Sequence, residues 1–153
     1  MSSMSDDLTS PVPLLAGLGL GIEDVTQFSV QAGFPSPAED FAGRRIDLTD
    51  ELVQNASSTF LMRVSGASMR EGGIDDGDLI VVDRSLKASH GSVVVGVVDG
   101  EFTVKRLWKR GSNVKLQADN PTFPDIVPRD GQTIEIWGVV TSSIRRHYPK
   151  RAP

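Results

Sequence analysis

The sequence has no cysteine and only two histidines, His90 and His147, among 153 residues. A chain without cysteine has no disulfide framework and no thiolate metal site, which suits a reducing cytosol. The two histidines stand in dissimilar contexts and do not indicate a metal pair. The aspartates between residues 75 and 83 lack the spacing of a calcium-binding loop. We therefore expect neither a bound metal nor a cofactor.

Basic residues are also absent before Arg44, and the net charge of the whole chain is −4. This acidic balance argues against a general nucleic-acid binder, so we expect little direct DNA binding. The apolar run at residues 11–22 is too short to span a bilayer, and acidic rather than basic residues precede it. The sequence therefore predicts no membrane anchor and no secretory signal, and we expect a cytoplasmic protein.

Strand-like segments separated by glycine and aspartate turns begin at Thr59. Short strands at this spacing predict a mainly β fold, either a curled antiparallel sheet or a partly open barrel. Before them we expect a short helix within residues 44–54, with Asp47 or Thr49 as its N-cap, and a second short helix around residues 22–31. The strand candidates are residues 59–64, 78–83, 92–98, 101–107, 113–117 and 133–141.

A serine follows the first strand candidate, within the segment Ser65-Gly66-Ala67-Ser68-Met69. Small residues after a strand usually mean only a turn. A strand that ends in a sharp turn can also present a serine hydroxyl beside backbone N–H groups, which a serine nucleophile requires. The segment alone favours the ordinary turn and leaves the nucleophile open.

A lysine is the second candidate group. Asp99-Gly100 predicts a two-residue hairpin turn, which places Val94 opposite Lys105 and puts Thr103 on the same face as that lysine. A free lysine has a pKa near 10.4, and burial lowers a lysine pKa by up to about 3–5 units. A buried, neutral Lys105 could then take the proton of Ser68. The alternative is a lysine whose charged end extends into water from a strand edge.

These motifs together resemble the LexA/UmuD family of self-cleaving Ser–Lys peptidases, and its UmuD branch in particular. The resemblance spans roughly residues 31–140. It implies that Ser68 is the nucleophile, that Lys105 is the general base, and that the backbone N–H groups of Ser68 and Ala67 stabilise the oxyanion. The matching segments are residues 65–69, Gly73-Ile74, Gly77-Asp78, residues 98–105, residues 32–37, residues 45–48 and residues 88–91.

The bond that the resemblance marks for cutting joins Ala32 to Gly33. Cysteine precedes the scissile glycine in the best-known UmuD, whereas this chain has the Ala-Gly pair typical of LexA-like repressors. Pro35 and Pro37 favour an extended chain beyond the bond, as a peptidase cleft requires. The resemblance thus divides the chain into a removable arm (1–32), a linker (33–50), a Ser–Lys peptidase-like β domain (51–145) and a basic tail (146–153).

The resemblance also implies partners. It predicts a homodimer whose self-cleavage is promoted by RecA filaments on single-stranded DNA during the SOS response. The trimmed dimer would join a UmuC-type Y-family DNA polymerase in error-prone translesion synthesis of the polymerase V type.

Two alternatives come from other functional classes. A LexA-like or phage-type repressor would need a DNA-binding domain before the cut, and residues 1–32 contain no basic residue and no helix-turn-helix pattern. A signal-peptidase-like enzyme would share the Ser–Lys pair but would need a membrane anchor, and none is visible.

Overall fold

The computed structural model describes residues 11–13, 25–27, 44–129 and 132–148. Within these residues the fold is mainly β, with one short α-helix and two 3-10 turns, Ala56–Ser58 and Arg70–Gly72. The helix α1 is Leu48–Leu52. The strands are β1 (Val12–Pro13), β2 (Val25–Gln27), β3 (Arg44–Ile46), β4 (Thr59–Arg63), β5 (Leu79–Asp83), β6 (Val93–Val98), β7 (Glu101–Arg110), β8 (Asn113–Gln117) and β9 (Ile134–Ile144).

Seven strands form one antiparallel sheet in the order β1-β4-β5-β9-β6-β7-β8. The two end strands do not pair with each other, so the sheet is not closed into a barrel. The ladders to β9 contain irregularities at Val81/Val82 and at Val95/Gly96, and bulges of this kind increase the bend and twist of a sheet. The predicted mainly β fold with an antiparallel sheet is confirmed.

The core is built mainly from buried side chains of the sheet strands. One cluster contains Met62, Ile80, Val82, Val95 and Val104, all at most 1% exposed. These residues come from four strands, β4 to β7, so one core cluster joins both hairpin and non-hairpin neighbours of the sheet. A smaller cluster of Val94, Leu107 and Leu116 fills the side near β8.

The β6–β7 hairpin has the predicted register. Val94 pairs with Lys105, and the turn residues Asp99 and Gly100 have φ values of 50° and 80°. Two consecutive positive φ angles are what a primed two-residue turn needs, and glycine adopts them without strain. This turn therefore sets the position of Lys105 along its strand.

One of the two helix predictions is confirmed, and the other is wrong where the structure describes it. Asp47 caps α1 as predicted, because its Oδ1 accepts a hydrogen bond of 2.7 Å from the N–H of Thr49. The helix predicted around residues 22–31 is wrong over Val25–Gln27, which forms strand β2 and pairs with β3. Val25 and Thr26 are β-branched and favour extended backbone.

The remainder of that predicted helix, residues 22–24 and 28–31, lies outside the described residues, as does the Ala32–Gly33 bond. No helix in the described ranges has the length and apolar character needed to cross a membrane.

Candidate active site

Ser68 lies in the turn that follows β4. Backbone hydrogen bonds close the base of this turn, since the N–H of Val64 donates to Asp78 O at 2.8 Å and the N–H of Gly77 donates to Val64 O at 2.7 Å. Ser68 and Met69 are 0% and 1% exposed. The serine is therefore held inside the fold rather than on a solvated loop.

A glycine and a carboxylate shape the same turn. Gly66 has a φ of 101°, a left-handed conformation that glycine adopts without steric cost. Its N–H donates to Asp76 Oδ1 at 2.8 Å. This bond ties the turn to the acidic segment before β5.

The Lys105 amine contacts the Ser68 hydroxyl directly. The distance from Lys105 Nζ to Ser68 Oγ is 2.8 Å, within ordinary hydrogen-bond range. The same nitrogen lies 2.9 Å from Thr103 Oγ1 and 3.1 Å from Val104 O. Lys105 is only 4% exposed, so its charged end does not extend into water.

The strand β7 brings these groups together. Lys105 and Thr103 are two residues apart and so point to the same face of the strand, where Lys105 lies opposite the fully buried Val94. Aliphatic neighbours of this kind solvate an ammonium group poorly. The fold thus places a lysine nitrogen, a serine hydroxyl and a threonine hydroxyl in one enclosed space.

Two ion pairs brace the elements around the serine turn. Arg145 reaches from the end of β9 and contacts both carboxylate oxygens of the buried Asp78, at 3.0 and 2.8 Å. This guanidinium holds the pKa of the Asp78 carboxyl below its usual value, although burial acts in the opposite direction. Arg106, next to Lys105 on β7, contacts the carboxylate of Asp119, which raises the pKa of Arg106.

A cleft of about 300 Å³ lies beside Lys105. Its walls combine the apolar side chains of Phe102, Phe123 and Ile126 with Thr103, Lys105 and, at one end, Asp99 and Glu101. Its apolar side chains can contact an apolar peptide segment next to Lys105.

Comparison with known proteins identifies the family. The family model for Peptidase S24-like proteins matches residues 24–141. The chain belongs to the Peptidase S24-like family.

Individual relatives narrow this assignment. MucA from Salmonella typhimurium is 48% identical over 119 residues, which are 77% of this chain and 81% of MucA. ImpA from Shigella flexneri is 45% identical over 117 residues, 76% of this chain and 79% of ImpA. A LexA repressor from Cupriavidus necator is 35% identical over 144 residues, 94% of this chain and 64% of the repressor.

These similarities make the chain a UmuD-type member of the LexA/UmuD family. The family is associated with SOS mutagenesis and, more generally, with self-cleaving serine peptidases. Within this Peptidase S24-like chain, the structure brings Ser68 and Lys105 together, Ala67 directly precedes Ser68, and Ala32 and Gly33 lie outside the described residues.

Some contacts of this site were not predicted from the sequence. Thr103 was placed on the Lys105 face but was given no role, and Asn120 was not among the candidate residues. Asn120 Nδ2 donates to Ala67 O at 2.8 Å, across 53 residues of sequence. The one available signal was the Asp-Asn-Pro order at residues 119–121, which is typical of a turn with side-chain hydrogen bonds.

Proposed function

We propose that this chain cuts itself between Ala32 and Gly33, with Ser68 as the nucleophile and Lys105 as the general base. The observation that supports this most directly is the 2.8 Å separation of Lys105 Nζ and Ser68 Oγ in a buried site. A nucleophile and its base need to lie within hydrogen-bond reach of each other.

The contacts of the Lys105 nitrogen with Thr103 and Val104 are compatible with a neutral amine. Val104 O can only accept a hydrogen bond, and the Thr103 hydroxyl can accept a second one. A neutral amine has a lone pair, and at 2.8 Å from Ser68 Oγ it is within reach of the hydroxyl proton. Burial favours the neutral form because it removes water from the charged one.

The reaction follows from this arrangement. Ser68 Oγ attacks the carbonyl carbon of Ala32 while its proton passes to Lys105 Nζ. The backbone N–H groups of Ser68 and Ala67 donate to the resulting oxyanion. When the tetrahedral intermediate collapses, Lys105 returns the proton to the amino group of Gly33. Water then hydrolyses the ester between Ser68 and Ala32, and residues 1–32 are separated from residues 33–153.

The biological setting is proposed on the strength of the family. MucA and ImpA align over 81% and 79% of their own lengths, against 64% for the LexA repressor, which favours the UmuD type over the repressor type. We infer a homodimer in which a RecA filament on single-stranded DNA favours the bound position of the cleavage segment, a population shift. The trimmed dimer serves a UmuC-type Y-family polymerase in translesion synthesis.

Intact mass spectrometry of the purified chain tests the self-cleavage. Incubation at about pH 10, near the pKa of free lysine, increases the neutral fraction of the base. A second incubation at about pH 7 contains RecA, single-stranded DNA and nucleotide. We expect a product that begins at Gly33 under both conditions. Ser68→Ala and Lys105→Ala should each lose at least about a hundredfold in rate, as expected for nucleophile and base.

Two matched controls separate these roles from general damage. Ser65→Ala changes an exposed serine of the same turn, and Lys109→Ala changes an exposed lysine of the same strand. Both controls should cut at the wild-type rate, and Gly33→Glu should block cutting while leaving Ser68 and Lys105 in contact. Continued cutting in Ser68→Ala, or a product that begins elsewhere, would contradict the proposal.

Partner binding tests the second part of the proposal. Residues 33–153 should retain a UmuC-type polymerase in a co-purification experiment, whereas the full chain carrying Ser68→Ala should retain less. Equal retention by both proteins would show that trimming does not control polymerase binding.

A further inference from the structure

We infer that Asn120 is a positioning residue that fixes the peptide between Ala67 and Ser68. This inference rests on the proposed self-cleavage, because it concerns how the Ser68 N–H is aimed during that reaction. In a planar trans peptide the C=O and N–H bonds point in opposite directions. A group that holds the Ala67 carbonyl therefore directs the Ser68 N–H away from itself, toward the side where the oxyanion forms.

The Ala67 carbonyl is held from two directions. Asn120 Nδ2 donates to Ala67 O at 2.8 Å, and the N–H of Arg70 donates to the same oxygen at 3.2 Å. The Arg70 bond is local and closes a single turn of backbone. The Asn120 bond comes from a different loop, so it resists rotation of the peptide plane relative to the rest of the fold.

The side chain of Asn120 can present only one end to Ala67. Its Oδ1 accepts hydrogen bonds from the N–H of Thr122 at 3.1 Å and from Thr122 Oγ1 at 2.8 Å. These two bonds identify the oxygen and leave the NH₂ group facing the carbonyl. The amide is thus oriented before any substrate binds.

The loop that carries Asn120 is itself bonded both to the segment that follows the serine turn and to strand β7. Asp119 O accepts a hydrogen bond of 2.8 Å from the N–H of Glu71, just after the serine turn. The Asp119 carboxylate lies 3.0 and 3.1 Å from Arg106 Nε. Because Arg106 follows Lys105 on β7, one strand fixes both the base and the loop that orients the nucleophile's peptide.

Self-cleavage kinetics of variants of the full chain test this role. Removal of an oxyanion donor costs about 10²–10³ in rate, so we expect Asn120→Ala to lower the maximal rate by about 10- to 100-fold. The pH at half-maximal rate should stay that of the wild type, because Lys105 keeps its contacts. Asn120→Asp preserves shape but cannot donate when ionised, and it should be as slow as Asn120→Ala.

The matched control is Asn55→Ala. Asn55 Nδ2 also donates a hydrogen bond of 2.8 Å to a group distant in sequence, in this case the Asp83 carboxylate. This variant should lose comparable thermal stability and should cut within about twofold of the wild-type rate. Three results would each overturn the inference. They are cutting by Asn120→Asp at the wild-type rate, a loss of rate in Asn55→Ala equal to that in Asn120→Ala, and a shifted pH midpoint of the rate in Asn120→Ala.

A second measurement does not depend on cutting. Residual dipolar couplings of backbone N–H groups report the orientation of each bond, and they can be recorded on the uncut Gly33→Glu chain. Adding Asn120→Ala should change the coupling of the Ser68 N–H and leave the couplings of β7 unchanged. If the wild type never cuts but this coupling changes, the proposed function fails while the positioning stands. An unchanged Ser68 coupling overturns the positioning whatever the rates show.

Discussion

At the scale of single residues, Asp83 at the end of β5 has a densely hydrogen-bonded carboxylate. It accepts hydrogen bonds from Asn55 and Ser58, each at 2.8 Å, and from the N–H and Oγ of Ser85 at 2.8 and 2.7 Å. Burial acts to raise the pKa of this carboxyl, but these bonds outweigh burial and lower the pKa to about 2. The ionised form therefore stabilises the junction between β5 and the segment before β4.

Asp83→Asn should lower the free energy of unfolding by about 2 kcal/mol near neutral pH. Because the folded pKa lies below the unfolded value of 3.8, this stabilisation is present above that value and is lost as the pH falls toward 2. The difference in free energy of unfolding between wild type and variant should become smaller over that pH range. Urea unfolding at a series of pH values measures this difference.

The comparison for that experiment is Asp125→Asn. Asp125 pairs with Lys115 at the surface, and exposed pairs contribute little to stability. A plot of its free energy of unfolding against pH should run parallel to that of the wild type over the whole pH range. If the free energies of unfolding of wild type and Asp83→Asn differed by the same amount at every pH, the assignment of the low pKa to a stabilising network would be wrong.

At the scale of elements, the serine turn and the loop at residues 118–123 behave as one assembly. Gly72, in the 3-10 turn after Ser68, lies so close to this loop that a Cβ there would collide with the Asp119 carboxylate. Gly73 has a φ of 88°, and a Cβ built on it meets nothing within 4 Å. The two adjacent glycines are thus required for different reasons, close packing in one case and backbone conformation in the other.

Gly72→Ala should slow self-cleavage by about tenfold or more, because Asp119 must move and Asn120 moves with it. Gly73→Ala should cost about 1–2 kcal/mol of stability through its left-handed backbone and keep the wild-type rate. Cleavage rates by mass spectrometry and midpoints of thermal unfolding distinguish the two outcomes. Equal rates for both variants would show that the loop does not influence the site.

The same elements show how far the sequence could predict this site. The register that places Lys105 opposite Val94 depends on a local signal, the Asp99-Gly100 turn, and it was predictable. The bond from Asn120 to Ala67 spans 53 residues and depends on how the loop packs, which no local pattern encodes. The β2–β3 pairing was missed for the same reason, since each strand has only three residues and is stabilised by its distant partner.

At the scale of the whole molecule, two short strand pairings each join a strand that precedes the proposed cut to a strand that follows it. β1 pairs with β4 through two residue pairs and β2 with β3 through three, and β1 and β2 both precede Ala32. β1 is also the end strand of the large sheet. Separation of residues 1–32 from the body would therefore leave β4 as the new edge of that sheet, with its outer N–H and C=O groups unpaired.

Hydrogen exchange measures this change. Amides of β4 should exchange faster in residues 33–153 than in the uncut Gly33→Glu chain, because the ladder to β1 is lost. Amides of β8, at the opposite end of the sheet, should exchange at the same rate in both proteins and serve as the internal control. Identical β4 exchange in the two proteins would show that β1 gives that edge no protection.

The position of these strands has a consequence for how cutting would act as a signal. Hydrolysis of one peptide bond removes none of the hydrogen bonds in the two short ladders. It removes the tether, which supplies an effective concentration on the order of millimolar for short flexible connections. Two- and three-residue pairings are too weak to persist without it. The cut would thus convert an intramolecular equilibrium into a bimolecular one, and at low cellular concentrations this equilibrium would favour the released arm.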